Sequence, residues 1–169
     1  KTSNEHGKSS RASSTLQSGE SIMKKELQDK LFEKYPKLYR QKDLDKTQSA
    51  MCWGISCGSG WYNIIDNLSA TIQNRVDYLN GEGQHTYRDL PEDHPKVVCE
   101  AVQVKEKFGG LCFYIYGDDD EFINGAIDLA ENLSYKTCEM CGAPGATNDG
   151  GWRKTRCDDC QDKTWRDDV

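Results

Sequence analysis

A chain of 169 residues with 36% hydrophobic and 30% charged residues has room for one ordinary domain and a small appended module. Its net charge of −6 gives no global attraction for phosphate or anionic membranes, and no apolar run approaches the roughly 20 residues that span a bilayer. Eight cysteines in a secreted chain would suggest disulfides. Two regular C-x2-C pairs and the lack of an apolar signal core point instead to reduced thiols, a metal and a cytoplasmic setting.

Residues 1–22, "KTSNEHGKSSRASSTLQSGESI", are rich in Ser, Thr, Gly and charge and have no apolar period. Such a stretch cannot bury enough surface to offset its chain entropy, so a disordered leader is expected. It precedes Met23, a natural start position, and "TLQSG" resembles a viral main-protease cut site, which fits an appended tag. A native flexible tail is the alternative.

The first predicted helix runs from Lys24 to about Tyr35, with Leu27, Leu31, Phe32 and Tyr35 on one stripe and Pro36 ending it. "KLYRQKDLDKTQS" reads as a polar connection. A second helix follows the glycines of "CGSGW", with Trp61, Ile64, Ile65, Leu68, Ile72 and Val76 in helical period. "NGEGQHTYRDLPEDHP" then forms a long loop.

"VVCEAVQVKEKFGGLCFYIY" reads as a hairpin turning at Gly109-Gly110. That turn predicts Phe108 opposite Leu111, Glu106 opposite Phe113 and Val104 opposite Ile115, which makes one face mostly apolar. The other face carries Lys105, Lys107, Tyr114 and Tyr116. Glu106 then points to the apolar side, either paired with Arg75 or Arg88 or left in water at a fraying tip. "GDDDE" opens a third helix, with one of Asp118 to Asp120 as its cap and magnesium binding as the alternative use of the carboxylates. Phe122, Ala126, Leu129, Ala130 and Leu133 form its predicted buried stripe.

Cys138 and Cys141 are two residues apart, as are Cys157 and Cys160, with fifteen residues between the pairs. Each C-x2-C turn sets two sulfurs about one tetrahedral edge apart, and this spacing is that of structural zinc sites. Iron–sulfur, disulfides and free thiols are the alternatives. Four protein ligands leave no open position for water, so Zn2+ here is expected to be structural and not catalytic. The expected fold is α+β: helices packed on a β-hairpin or small antiparallel sheet (residues 23–135), with a four-cysteine zinc knuckle module of treble-clef or ribbon type (136–169) packed on it.

Cys52 and Cys57 flank Trp53, and Cys57 lies near a helix N-terminus, which lowers a thiol pKa. With His85, His94 and Asp93 they could in principle form a nucleophilic set. Burial is the plainer reading, for them and for Cys99 and Cys112 on the strands.

"CWGISCGSGW", "KEKFGGLCFY" and "CEMCGAPG" with "GGW" and "CDDC" together resemble an uncharacterised group of small proteins encoded by tailed phages and prophages. The resemblance runs from about Met51 to Cys160. It implies a phage accessory gene acting in a bacterial cytoplasm and carries no established activity. The leading expectation is therefore a non-enzymatic protein that binds a host or phage protein, for host takeover or defence inhibition. Its contact residues would be Lys105, Lys107, Tyr114, Tyr116, Trp152 and Arg153, because Tyr, Trp and Arg anchor interfaces. Binding of single-stranded nucleic acid through "GGWRKTR" and the hairpin face is the second expectation, and an enzyme using Cys52 or Cys57 the third.

Overall fold

The computed structural model describes residues 23–83 and 89–163. The readings of residues 1–22, His85, Arg88 and the tail after Lys163 fall outside the described residues. The architecture is α+β, with three α-helices among the described residues and a small mixed sheet.

Helix α1 (Lys25–Lys34) buries Leu31 and rests Leu27 and Phe32 on the core. Pro36 stops it, since a helix avoids the residue before a proline. The Tyr35 hydroxyl donates to the Asp66 carboxylate at 2.7 Å, which ties α1 to the second helix. The segment predicted as a polar connection is only partly polar. Leu38 and Tyr39 are fully buried, because this stretch winds back onto the strand that holds Ala101, whose amide donates to the Leu38 carbonyl at 2.7 Å. The Tyr39 hydroxyl, sealed in the core, keeps a partner in Ser69 at 2.8 Å.

Helix α2 (Tyr62–Leu79) buries Ile65, Leu68, Ile72 and Val76 on one stripe, as their period predicts. Trp61, just ahead of it, is completely buried, a contribution of roughly 4–6 kcal/mol at ordinary transfer coefficients.

The sheet order is β1-β2-β3, with β1 (Ile55–Ser56), β2 (Cys99–Lys107) and β3 (Gly110–Gly117). The short β1 pairs parallel to β2, Ile55 with Val104, and was not predicted. Two residues are too few to show a period. The hairpin turns at Phe108-Gly109, one residue earlier than predicted. Its register is Lys107↔Gly110, Glu106↔Leu111, Lys105↔Cys112 and Val104↔Phe113, with an irregularity between Ala101 and Gln103. Pairing moves two places along β3, so the predicted faces survive. The cause lies at Gly110, where any Cβ would collide with the Tyr135 ring. Gly110 is held for close approach, and Phe108 takes the positive φ of +54° in its place.

Helix α3 (Glu121–Ser134) is capped by Asp120, whose side chain accepts from the Ile123 amide. Arg75 grips the same carboxylate through Nε and Nη2 at 3.0 and 2.9 Å. Arg75 is thus committed to Asp120, and Glu106 is neither its partner nor frayed: its carboxylate accepts from the Gly109 amide at 2.6 Å. The predicted buried stripe of α3 is corrected. The helix buries Ile123, Ala130 and Ser134, while Phe122, Leu129 and Leu133 are exposed. The helix is rotated so that one edge of its apolar stripe meets the core, and Leu111 claims Ser134, whose hydroxyl accepts the Leu111 amide at 2.8 Å.

Candidate metal centre

The first cysteine turn follows α3 directly. The Cys138 amide donates to the Ala143 carbonyl at 2.7 Å, and the Gly142 amide to the Cys138 carbonyl at 2.9 Å. Gly142 sits at φ +77°, a reversal that a side chain would strain. The chain then forms a two-stranded hairpin, β4 (Ala146–Thr147) with β5 (Thr155–Arg156), whose second strand lies within "WRKTR". The second turn closes when the Cys160 amide bonds the Cys157 carbonyl at 3.0 Å. Asp158–Cys160 is a single 3-10 turn.

These two turns bring the sulfurs of Cys138, Cys141, Cys157 and Cys160 within 4.8 Å of one another. The Cys141 and Cys157 sulfurs, one from each turn, are 3.6 Å apart. A tetrahedron with metal–sulfur bonds near 2.3 Å has edges of about 3.8 Å, so the set could hold a metal ion. Among the described residues it is the one such group of His, Cys, Asp or Glu. Cys138 and Cys160 are buried, Cys157 half-buried and Cys141 exposed.

The thiols differ in how readily they ionise. Burial works against the Cys138 thiolate, but the amides of Cys141, Cys157 and Met140 outweigh it and bring the pKa down to about 7. Burial, followed by the neighbouring sulfurs, pushes Cys160 up to about 12. Collecting four thiolates therefore needs a cation among them. The Lys163 ammonium, 3.8 Å from the Cys160 sulfur, offsets part of that charge.

What holds this centre to the rest of the molecule was not legible as such. The Gly58 amide donates to the Glu139 carboxylate at 2.9 Å, Gly60 to the Glu139 carbonyl at 2.8 Å, and the Trp61 indole to the Thr137 carbonyl at 2.8 Å. On the other side the Thr155 hydroxyl donates to the Gly109 carbonyl at 2.6 Å. "CGSGW" is thus the surface on which the first cysteine turn rests, and Gly60 permits the close crossing. Glu139 is fully buried; burial, with the charge of Glu106, raises its carboxyl to about 7, against the Gly58 amide and Arg156.

Cys57 lies in the same buried region and is completely enclosed. Burial first, then the Glu139 and Glu106 charges, push its thiol well above the ordinary range, the opposite of an activated nucleophile. His94 lines a hollow with Asn80 at the far end of α2, and that helix of 18 residues is about 27 Å long. Among the described residues, His94 is therefore not brought to Cys57.

The predicted contact residues divide between the hairpin and the tip of the cysteine module: Lys107 adjoins the hairpin turn, whereas Tyr116 pairs with Glu100 at the hairpin's other end. Lys105 stacks over the Tyr114 ring at 5.5 Å, and Tyr116 is exposed. Trp152 is 76% exposed, beside an exposed Arg153. Arg156, counted in the basic cluster, is buried and presents no charge to solvent. Sequence reasoning missed Phe108, 68% exposed at the hairpin turn, with Lys107 over its ring at 5.4 Å. No described helix is long and apolar enough to cross a membrane. Compared with protein-family models, curated proteins and solved structures, the chain matches none.

Proposed function

We propose that this is a non-enzymatic binding protein, a phage or prophage accessory factor, that docks a host or phage protein on the paired tips of its hairpin and its cysteine module. A structural Zn2+ bound by Cys138, Cys141, Cys157 and Cys160 fixes the second tip; bound there, it supplies rigidity and no open coordination position. The phage setting rests on the motif resemblance.

One observation carries the reading of the surface. Phe108 occupies a positive-φ turn position, φ +54°, where Asn or Gly is favoured, and it leaves most of its ring in water. Apart from the Lys107 ammonium over its ring, the fold gains little from an aromatic residue there, and the left-handed backbone costs roughly 1–2 kcal/mol. Residues that work against the fold in this way gather at functional sites. Phe108 adjoins Gly109, where an added Cβ would lie 3.6 Å from the Lys154 carbonyl carbon, so Phe108, Lys107, Trp152 and Arg153 belong to one end of the molecule. Aromatic and arginine side chains in this arrangement are typical interface anchors.

The test is affinity capture from infected-host lysate, comparing the native chain with Phe108→Asn and Trp152→Ala. A protein recovered by the native chain and lost with both variants supports the reading. Recovery unchanged by either variant, or of nucleic acid alone with strong salt dependence, overturns it.

A further inference from the structure

Helix α3 carries more apolar surface than it buries. Phe122 is 55% and Leu129 61% exposed, and with Ala126 and Leu133 they line a groove against α2 of about 610 Å³. Ile64 and Leu68 of α2 also line it. From Phe122 to Leu133 the stripe runs about 16 Å, three turns of helix.

The two edges of this groove differ. On the α2 side stand Asn63, Asn67 and Thr71, all neutral. Two of them already bond their own helix: the Asn67 side chain donates to the Asn63 carbonyl at 2.7 Å and the Thr71 hydroxyl to the Asn67 carbonyl at 2.8 Å. Covering them leaves the Thr71 hydroxyl donor satisfied and one of the two Asn67 amide hydrogens still bonded. The outer edge of α3 holds Glu121 and Asp128, seven residues apart and so on one side of the helix. Among the described residues neither carboxylate takes part in an ion pair. Between them lies Gly125, where an added Cβ would meet nothing within 4 Å, so another backbone can come close.

We propose that the α2–α3 groove is a docking site for an amphipathic helix of a partner protein, one whose apolar face fills the groove and whose Lys or Arg residues lie along Glu121 and Asp128. Apolar anchors spaced i, i+4, i+7 and i+11 suit the length and curvature of such a groove. The charge of the edge selects a basic ligand and argues against a second copy of this chain. In an antiparallel two-fold pairing of α3 like edges meet, so the Glu121–Asp128 edge would face the same acidic edge of the second copy. The site shares no residue with the hairpin and module tips.

The experiment titrates the full chain with a helix-forming peptide of about 18 residues bearing leucines at those positions and lysines on one flanking edge, and with a copy carrying glutamate for each lysine. The lysine-edged peptide should bind about tenfold or more tighter, with the difference shrinking as salt rises. Leu129→Glu, at an exposed position that the fold does not need, should weaken it about tenfold. A double E121Q/D128N variant should abolish the preference between peptides while keeping the apolar affinity. Trp152→Ala should leave both titrations unchanged. Equal affinity for the two peptides, or no binding of either, overturns the proposal. So does a concentration-dependent dimer in sedimentation that Leu129→Glu disperses, because the groove is then covered by a second copy.

Discussion

The Gly60 amide donates to the Glu139 carbonyl oxygen at 2.8 Å, and a Cβ on Gly60 would lie 2.7 Å from that same oxygen. The first cysteine turn and the entry to α2 cross here backbone on backbone, and neither neighbour is a flexible side-chain end that can give way. Gly60→Ala should therefore destabilise the protein by about 1–3 kcal/mol, the usual cost of overpacking. Gly125, in the exposed face of α3 with open space around it, should respond in the opposite sense. Gly125→Ala should stabilise by about 0.5–1 kcal/mol through helix propensity. Paired urea melts of the two variants check both signs.

Metal content separates the cysteines into two classes. Cys138→Ser removes a buried member of the four-sulfur set, whereas Cys99→Ser alters a buried strand thiol outside it. The purified native chain and Cys99→Ser should each hold one zinc per chain by elemental analysis, and Cys138→Ser should hold none. Metal binding in finger peptides is worth on the order of 10–16 kcal/mol, far more than so short a segment can gain from burial. A strong chelator should consequently unfold residues 136–163 and expose their thiols to alkylation. Full metal retention in Cys138→Ser would be fatal to the assigned ligand set.

How much of this could be read beforehand depends on whether the signal was periodic or positional. Helix α2 announces itself through Ile65, Leu68, Ile72 and Val76, and the cysteine centre through fixed spacing. Both signals are local, and both survive folding. The exposure of Leu129 and the enclosure of Arg156 are not local facts. Leu129 is uncovered because the core ends at Ala130 and Ser134, and Arg156 is enclosed because β5 lies under the first cysteine turn, with the Glu139 amide bonded to the Thr155 carbonyl at 3.0 Å. The hairpin turn sits between these cases. Either "FG" or "GG" can supply two positive φ angles, and only the distant Tyr135 ring against Gly110 decides between them.

Phe108 gives the next prediction. Asn tolerates the left-handed region and heads the favoured two-residue hairpin turn before Gly. Phe108→Asn should therefore stabilise the fold by about 1 kcal/mol, read as a higher urea midpoint with an unchanged slope. If the native Phe is kept for binding, the same substitution should abolish partner capture. Stability rising while capture falls is the signature expected, and a loss of stability would show that the ring supports the hairpin.

Asp120 and Arg75 contribute to the acid sensitivity of the fold. The Arg75 guanidinium is the main influence holding the Asp120 carboxyl below its ordinary range; burial opposes it and the Ile123 amide assists. A carboxyl whose folded pKa is lowered stabilises the protein above its unfolded pKa and loses that contribution as pH falls through the folded value. Stability should accordingly drop between about pH 5 and pH 2. Asp66 adds to the slope, because its burial is outweighed by Lys34 and Tyr35, which together hold its carboxyl low. Arg75→Met isolates the Asp120 part, because the cap to Ile123 remains while the cation is lost. At neutral pH it should cost about 1–2 kcal/mol, discounted for the partial exposure of Arg75. At the acid end native and variant should converge, since Asp120 is then protonated in both. Parallel stability curves, with the same gap at every pH, would mean that Arg75 acts through packing on Phe122, 5.4 Å from its guanidinium, and not through the carboxylate.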